Sequence, residues 1–264
     1  MRRARVIYQG RLHSAVPATA GLKLDDGREL READVIWLPP FEARTVFAVA
    51  LNYAAHAQEL AMQAQGEPLV FLKGARSLAG HRSSTERPTD AAFMHYECEL
   101  AVVLGRTARH VGAADALAYV AGYTVANDYA VRDYLENYYR PNLRAKNRDR
   151  ATLLGPWLVD ASEVDDPQAL ELRTLVNGQI KQQGYTRDMI HGVAALIEYL
   201  SAFMTLSPGD VVLTGTPAGV MNVAAGDEVI TEIVGLGRLR SFVVDERLRA
   251  DQPPPAPLGV HSGG

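Results

Sequence analysis

The acidic residues Glu97 and Glu99 form the feature of this sequence that is most able to do chemistry. They lie immediately before the apolar run 100–104, which is typical of a buried strand. Residues two apart on a strand share a face, so both carboxylates would project together, with Cys98 on the opposite side. Adjacent carboxylates repel each other unless a cation neutralises them, and Mg²⁺ or Mn²⁺ suits oxygen ligands. The pair therefore indicates a candidate metal site, with a solvated strand face as the alternative.

A third carboxylate, Asp128, follows the apolar run 121–126 and would end a core strand. Strand ends, where loops gather, are common positions for functional residues. Together with Glu97 and Glu99, Asp128 would supply three ligands of a Mg²⁺ site and leave room for water and a chelating ligand. The alternative is that Asp128 caps the N-terminus of a helix in the segment that follows.

Basic and hydroxyl groups that could bind an anionic ligand occur at three further positions, Arg132, Lys146 and Thr216. Arg132 lies four residues after Asp128 and would share its side of a helix beginning there. Thr216 lies in the loop 214–219, whose glycines allow the backbone to approach a ligand closely. The alternatives are a solvated charged stretch for the two basic residues and a plain tight turn for Thr216.

His56 and Glu59 are three residues apart in a segment predicted to be helical over residues 54–63. On a helix the two side chains share a face, so Glu59 could orient His56 and stabilise its charged form, as a carboxylate does for a general base. The alternative is a surface ion pair, which contributes little to stability.

Short strands separated by turns are predicted to position these groups. The predicted strands are 5–8, 21–24, 45–51, 69–72, 99–104, 123–126, 211–213 and 228–234, and the predicted helices are 54–63, 113–121, 131–138 and 193–204. Glycine-containing turns at 9–10, 25–27 and 235–237 indicate hairpins. Because strands outnumber helices and do not alternate regularly with them, the pattern predicts an α+β fold.

Three parts of the chain differ in composition. Residues 1–40 are predicted to form a small N-terminal β extension that ends at Pro39-Pro40, since two prolines cannot lie within a sheet ladder. Residues 45–247 are predicted to form the catalytic domain. The proline-rich tail, residues 250–264, is predicted to be disordered.

The composition excludes several classes of protein. The 264 residues include 27 Lys+Arg and 31 Asp+Glu, and this net charge of −4 argues against a nucleic-acid binder. A single cysteine, Cys98, excludes an internal disulfide and favours a reducing compartment. No apolar run approaches the roughly 18 residues of a membrane span. We therefore expect a cytoplasmic enzyme with no nucleic-acid or membrane partner.

Several ordered segments resemble the fumarylacetoacetate hydrolase family. They are residues 51–53 with His56 and Glu59, 96–100, 122–124 with 127–128, 155–156, 176–178, 208–210 and 214–217. Within the family, residues 129–144 are most similar to the isomerase/decarboxylase group of homoprotocatechuate (4-hydroxyphenylacetate) degradation, and residues 94–97 and 186–190 agree. That group includes fused two-copy chains, and this sequence holds one copy.

The resemblance implies a mixed β-roll fold, a homodimer and a mobile lid that carries His56 and Glu59. It implies Mg²⁺ or Mn²⁺ held by three ligands, Glu97, Glu99 and Asp128. It also implies substrate contacts from Arg132, Lys146, Thr216 and Tyr53, with Lys146 and the His56/Glu59 pair as catalytic groups.

The implied substrates are 2-oxo dicarboxylates or tricarboxylates, whose chelated carbonyl acts as an electron sink. Decarboxylation of 5-carboxy-2-oxohept-3-ene-1,7-dioate and isomerisation of 2-hydroxyhepta-2,4-diene-1,7-dioate share one dienolate, so one site could serve either reaction. His56 would then transfer the proton. One alternative is an acylpyruvate-type C–C bond hydrolase of the same family, because fold does not decide between these chemistries. A more distant alternative is a non-catalytic metal-binding protein.

Overall fold

Strands separated by short turns make up most of the molecule. The computed structural model describes residues 1–60, 66–135 and 142–248. The first five strands are β1 (Arg2–Tyr8), β2 (Arg11–Ala18), β3 (Gly21–Leu24), β4 (Glu29–Leu30) and β5 (Ile36–Leu38). The next eight are β6 (Val46–Ala50), β7 (Leu69–Lys73), β8 (Leu78–Ala79), β9 (Ser84–Arg87), β10 (Met94–His95), β11 (Cys98–Leu104), β12 (Val120–Asp128) and β13 (Ala130–Val131). The last six are β14 (Thr152–Asp160), β15 (Glu171–Val176), β16 (Gln179–Tyr185), β17 (Val211–Leu213), β18 (Glu228–Ile233) and β19 (Gly237–Asp245).

Helices are fewer than strands in the described ranges. They are α1 (Ala54–Glu59), α2 (Ala113–Ala116), α3 (Leu143–Lys146) and α4 (Val193–Phe203). None of the described helices is long and apolar enough to cross a membrane. Parallel and antiparallel pairs occur in the same sheets, with β17 parallel to β6 and β11 antiparallel to β12. The predicted α+β class is confirmed.

The strands form two large sheets and one small one. The largest has 12 strands in the order β4-β3-β2-β1-β14-β12-β11-β17-β6-β7, with β5 paired to β1 and β8 to β14. The second sheet has the order β16-β15-β18-β19-β9, and β10 pairs with β13 alone. Strands β18 and β19 pack against β12, and β19 also packs against β14.

The N-terminal extension continues the largest sheet. Its first hairpin turns at Gln9 (φ 50°) and Gly10 (φ 76°), and positive φ at both central residues matches the twist of the flanking strands. Strand β1 also pairs with β14, through Arg2 and Val159. The sequence pattern predicts residues 1–40 as a separate unit, and that boundary, like the 45–247 domain, remains a prediction.

Strand β11 is buried along its whole length and separates two apolar clusters. Cys98, Leu100, Val102 and Leu104 belong to the main core with residues of the five-stranded sheet. Ala101 lies on the other face with Ala126 and Leu154, in a smaller cluster. This alternation is the period-two pattern that placed Cys98 and Glu99 on opposite sides.

Two of the four predicted helices differ from the structure in their described residues, those over 113–121 and 131–138. The prediction of a helix over 131–138 is wrong for its described part, because Ala130–Val131 pairs with Met94–His95 and a 3₁₀ turn, Arg132–Tyr134, follows. The helix predicted over 113–121 is an α-helix to Ala116 and a 3₁₀ helix over Leu117–Tyr119, and it ends there because β12 begins at Val120. Helix α1 ends at Glu59. Residues 61–63 and 136–138 of the predicted helices lie outside the described residues, and so does the 250–264 tail. Helix α4 is confirmed.

Candidate active site

A cavity of about 240 Å³ lies beside strands β6, β7 and β11. Carboxylate, cationic and apolar side chains share its wall. It is lined by Val49, Ala50, Leu51, His56, Leu60, Leu69, Phe71, Glu97, Glu99, Arg132, Leu135, Asn142, Lys146, Gly215 and Thr216. A cavity that combines convergent polar groups with an apolar wall is typical of a small-molecule site.

The three predicted metal ligands come together where β11 begins and β12 ends. The register pairs Cys98 with Asn127, so Glu97 lies next to Asp128, and the Asp128 N–H donates to the Glu97 carbonyl at 3.0 Å. One oxygen each from Glu97, Glu99 and Asp128 lies within 4.8 Å of the other two. Because all three residues are buried, their charges have little water to stabilise them.

Charge compensation differs between Glu99 and Asp128. Burial raises the pKa of Glu99 well above its ordinary value, and the charges of Asp128 and Glu97 raise it further. The Gly215 N–H opposes this effect with a hydrogen bond of 2.7 Å to Glu99 Oε2. Burial would also raise the pKa of Asp128, but Lys146 and Lys73 outweigh it and lower that pKa.

Lys146 projects from α3 between two of the carboxylates and lines the cavity. Its Nζ donates to Glu97 Oε2, and to Asp128 Oδ2 at 3.0 Å. Burial would lower the pKa of the ammonium, but the attraction of Asp128 and Glu97 raises it above its ordinary value. Lys146 is therefore a charged donor beside the predicted metal ligands, whereas its substrate contact and catalytic role remain predictions.

Lys73, at the end of β7, is a member of this group that the sequence analysis missed. Its Nζ donates to Asp128 Oδ1 at 2.6 Å and to the backbone oxygen of Lys146. The Thr152 hydroxyl donates to the same Oδ1 at 2.9 Å. Burial lowers the pKa of Lys73, and the charge of Asp128 opposes that shift. The sequence signal that could have identified Lys73 is its spacing, because Leu69, Phe71 and Lys73 are two residues apart and share one face of the strand. In the structure Leu69 and Phe71 line the cavity.

Thr216 is held in the cavity wall by the loop that follows β17. The Gln182 amide donates to Thr216 Oγ1 at 2.9 Å and to the Pro217 carbonyl at 2.7 Å. Gly215 adopts φ +83°, and a Cβ there would lie 3.0 Å from both Asn52 Cβ and the Val49 carbonyl oxygen. The backbone of this loop therefore approaches Asn52 and Val49 closely, whereas its predicted close approach to a ligand remains a prediction. Gln182 is a second residue that the sequence analysis did not identify.

His56 and Glu59 form the expected pair on α1. His56 Nδ1 lies 3.0 Å from Glu59 Oε2, and the other Glu59 oxygen accepts the Gly219 N–H at 3.0 Å. His56 is 4% exposed and lines the cavity. The pair is therefore attached to the loop that carries Thr216, whereas its predicted place on a mobile lid remains a prediction.

Arg132 and Tyr53 occupy different environments. Arg132 lines the cavity, although it reaches it from the 3₁₀ turn rather than from a helix. Tyr53 is 1% exposed, packs in the main core and does not belong to the described cavity lining. Its hydroxyl has no hydrogen-bond partner among the described residues, and burial raises its pKa. The substrate contact of Tyr53 remains a prediction.

His95 is a further buried neighbour that the sequence analysis did not assign. Its Nδ1 lies 3.6 Å from Glu97 Oε1, and burial lowers its pKa to about 4. His95 is therefore a neutral imidazole at pH 7, and it adds no positive charge beside the carboxylates.

The donor set fits a hard divalent cation. Three buried carboxylates from Glu97, Glu99 and Asp128 supply oxygen ligands within one small volume, which is the chemistry that Mg²⁺ and Mn²⁺ prefer. Among the described residues, His13, Asp25 and Asp26 form another cluster with ligand atoms this close, on the N-terminal hairpins, where both aspartates are exposed.

Comparisons with known proteins identify the family of this chain. The family model described as fumarylacetoacetate (FAA) hydrolase C-terminal matches residues 45–244. A 4-hydroxyphenylacetate degradation bifunctional isomerase/decarboxylase of Salmonella dublin is 50% identical over 244 residues, which is 92% of this chain and 56% of that protein. This chain thus spans about half the length of that relative.

Two solved structures show the same fold. A 5-carboxymethyl-2-hydroxymuconate delta-isomerase from Mycobacterium smegmatis has a TM-score of 0.81 and 39% identity, covering 93% of this chain and 99% of its own. A fumarylpyruvate hydrolase from Pseudomonas aeruginosa, in complex with Mn²⁺ and pyruvate, has a TM-score of 0.72 and 34% identity, covering 80% and 92%.

Proposed function

The chain belongs to the fumarylacetoacetate hydrolase family, and from that premise we propose that it is a divalent-metal-dependent decarboxylase, isomerase or both. The proposed substrates are 5-carboxy-2-oxohept-3-ene-1,7-dioate and 2-hydroxyhepta-2,4-diene-1,7-dioate, in the catabolism of 4-hydroxyphenylacetate. The observation that carries the proposal is one cavity in which Glu97, Glu99 and Lys146 lie together with Arg132.

Glu97, Glu99 and Asp128 would hold Mg²⁺ or Mn²⁺. When bound, the ion would polarise the 2-oxo group, so that the substrate can accept the electron pair released when a bond farther along its chain breaks. Lys73 and Lys146 form ion pairs with Asp128 and Glu97, whereas no ion pair is found for Glu99 among the described residues. A bound divalent ion would supply the counter-charge that favours the ionised form of Glu99.

Arg132 and Thr216 are the proposed substrate anchors. The Arg132 guanidinium suits a substrate carboxylate, which it can bind through two parallel hydrogen bonds. The Gln182 amide donates to the Thr216 oxygen, which leaves the hydroxyl proton free to bond to a ligand oxygen in the cavity. Leu69 and Phe71 also line the cavity, and their apolar side chains suit the carbon chain between the substrate carboxylates.

His56 is the proposed proton carrier. Glu59 fixes its Nδ1, so Nε2 is the ring nitrogen available to take or give a proton. In decarboxylation the bond to the C5 carboxylate breaks, CO₂ leaves and the electron pair enters the conjugated 2-oxo system. Protonation at another carbon then completes the isomerisation to a 2-oxo-heptenedioate. Low exposure of His56 limits competing exchange of that proton with water.

The decisive experiment follows CO₂ release from 5-carboxy-2-oxohept-3-ene-1,7-dioate. We expect release with Mg²⁺ or Mn²⁺ and its loss in EDTA. Glu97→Gln should abolish CO₂ release. Asp26→Asn should not, because Asp26 is an exposed aspartate of the cluster formed by His13, Asp25 and Asp26 on the N-terminal hairpins. Full activity and tight metal binding in Glu97→Gln would show that the metal assignment is wrong. Incubation with 2-hydroxyhepta-2,4-diene-1,7-dioate measures the isomerase step separately.

An acylpyruvate-type C–C bond hydrolase is the second candidate, favoured by the structural similarity to a fumarylpyruvate hydrolase and by the His56/Glu59 pair, which could activate water. Rapid hydrolysis of an acylpyruvate, with no CO₂ release from the first substrate, would select it. Absence of turnover on any 2-oxo acid would instead select the non-catalytic metal-binding alternative.

We also propose a homodimer in the cytoplasm, as the family resemblance implies. Leu72 and Leu143, both more than half exposed, are large apolar side chains that a second subunit could cover. Sedimentation equilibrium would measure the mass of the assembly, and a monomer at micromolar concentration would contradict the dimer.

A further inference from the structure

Lys73 carries a fully buried charge in the described part of the site, with a side chain 0% exposed. Unlike Lys146, it is not part of the described cavity lining. It therefore has no direct access to a substrate. A buried ammonium group is retained only where close acceptors compensate its charge.

Its acceptors connect two functional groups. One is Asp128 Oδ1, at 2.6 Å, and the other is the backbone oxygen of Lys146. The two oxygens of Asp128 thus have different neighbours. Oδ1 receives Lys73 from β7 and Thr152 from β14, whereas Oδ2 receives Lys146 from the cavity side at 3.0 Å.

We infer that Lys73 is a positioning residue that holds Asp128 through Oδ1, keeps Oδ2 directed towards Glu97 and Glu99, and holds the main chain from which Lys146 projects. This inference rests on the proposed metal site. Lys73 is a fixed counter-ion, while Lys146 is a cavity group whose bonds to the carboxylates compete with a divalent ion for the same oxygens.

Loss of Lys73 would have two opposite consequences. Asp128 would lose a buried counter-charge, and a divalent ion on the three carboxylates would supply it, so the ion should stabilise the variant more than the wild type. By linkage, the variant should bind that ion more tightly. Turnover should nevertheless fall, because Asp128 could rotate and the backbone oxygen of Lys146 would lose its hydrogen bond from Lys73.

The experiment compares Lys73→Met with two controls. Lys23→Met makes the same change at an exposed lysine of β3, and Thr152→Val removes the other donor to Oδ1 without changing charge. Mn²⁺ affinity is measured by electron paramagnetic resonance, stability by the melting temperature with and without Mn²⁺, and kcat at saturating Mn²⁺.

For Lys73→Met we expect Mn²⁺ affinity at least about threefold tighter and kcat at least about tenfold lower. The rise in melting temperature on adding Mn²⁺ should be larger than in the wild type. Lys23→Met should match the wild type, and Thr152→Val should change Mn²⁺ affinity by less than about twofold, because a hydrogen bond is lost and no charge.

The outcomes separate this inference from the proposed function. If the wild type binds no Mn²⁺, the proposed metal site fails and the inference fails with it. If the wild type binds Mn²⁺ but Lys73→Met binds it equally or more weakly, or keeps kcat within about twofold, only the role of Lys73 is overturned. A variant that folds only with Mn²⁺ supports the role, and one that stays unfolded with Mn²⁺ overturns it.

Discussion

The hairpin cluster of His13, Asp25 and Asp26 and the cavity cluster of Glu97, Glu99 and Asp128 both bring three possible metal ligands within 4.8 Å of one another. In the hairpin cluster the aspartate side chains are 53% and 37% exposed. In the cavity cluster all three residues are buried. Similar ligand spacing therefore occurs in two very different dielectric environments.

The two clusters also differ in where their compensating groups come from. Asp26 is paired with Arg28, two residues away, which lowers the pKa of Asp26 to about 2, and His13 lowers the pKa of Asp25. Asp128 instead depends on Lys73 and Lys146, which come from other elements of the fold. Local pairs in water contribute little energy, whereas buried charges require partners built into the fold. Burial, more than spacing, distinguishes a site from a surface pair.

The largest expected difference in activity is between the variants Asp128→Asn and Asp26→Asn. Removing the cavity carboxylate should reduce kcat/KM about a thousandfold or more, since metal polarisation contributes several kcal/mol. It should also weaken Mn²⁺ binding. Asp26→Asn should leave both unchanged. Steady-state kinetics and Mn²⁺ titration check this pair, and equal effects of the two substitutions would remove the distinction between the clusters.

The histidine–carboxylate pairs offer the next comparison. His56 Nδ1 lies 3.0 Å from Glu59 and His13 Nδ1 lies 2.8 Å from Asp25, so the pairs are alike in geometry. His56→Asn should lower kcat about a hundredfold, the usual loss when a general acid–base group is removed. His13→Asn should leave kcat unchanged. If kcat survives in His56→Asn, the proton-transfer role belongs to another group.

The loops of the two regions can be compared at two glycines with positive φ, Gly27 in the N-terminal hairpins and Gly215 beside the cavity. Gly27 (φ +90°) has nothing within 4 Å of the position that a Cβ would occupy, whereas a Cβ on Gly215 (φ +83°) would meet Asn52 and Val49 at 3.0 Å. Gly27→Ala should cost about 1 kcal/mol of unfolding free energy, from backbone strain alone. Gly215→Ala should cost about 2–4 kcal/mol, because steric overlap adds to that strain.

Urea unfolding of both variants measures this difference. Gly215→Ala should also lower activity, since the Gly215 N–H donates to Glu99. Equal costs for the two substitutions would mean that the loop after β17 can relax, and that its close approach to Asn52 does not hold the site in place.

Much of the fold and part of the site could be predicted from the sequence because they depend on local periodicity. Apolar runs located β6, β7 and β17, and the period-two pattern placed Cys98 and Glu99 on opposite faces of β11. The family resemblance is confirmed by the match over residues 45–244. The roles of the individual site residues remain predictions.

The missed residues depend on contacts between distant parts of the chain. In the sequence, Lys73 is simply the polar residue at the end of an apolar run. Its contact with Asp128, 55 residues away, is formed only in the folded chain. Gln182 lies in a polar strand and reaches Thr216 across 34 residues. The helix predicted over 131–138 was wrong because pairing of Ala130–Val131 with Met94–His95 outweighed the local preference of that segment.

The smallest expected effect concerns His81, which joins the N-terminal extension to the body. It is 4% exposed, its Nδ1 accepts the Arg240 N–H at 3.1 Å, and its Nε2 lies 3.5 Å from Glu32 Oε2. Burial lowers the pKa of His81 from 6.5, although Glu32 opposes this and Arg82 and Arg240 add to it. The unfolded chain therefore binds more protons, so stability is fully present above pH 6.5 and declines as the pH falls below it.

The melting temperature should accordingly fall by no more than a few degrees between pH 7 and pH 5 through His81. His81→Asn should flatten that part of the curve, and the share due to His81 is the difference between the two profiles. His13→Asn, in a pair whose carboxylate is exposed, should leave the slope as it is. A wild-type slope that persists in His81→Asn would assign the acid sensitivity to other buried groups, and would place the pH-dependent part of this molecule away from the junction with the N-terminal extension.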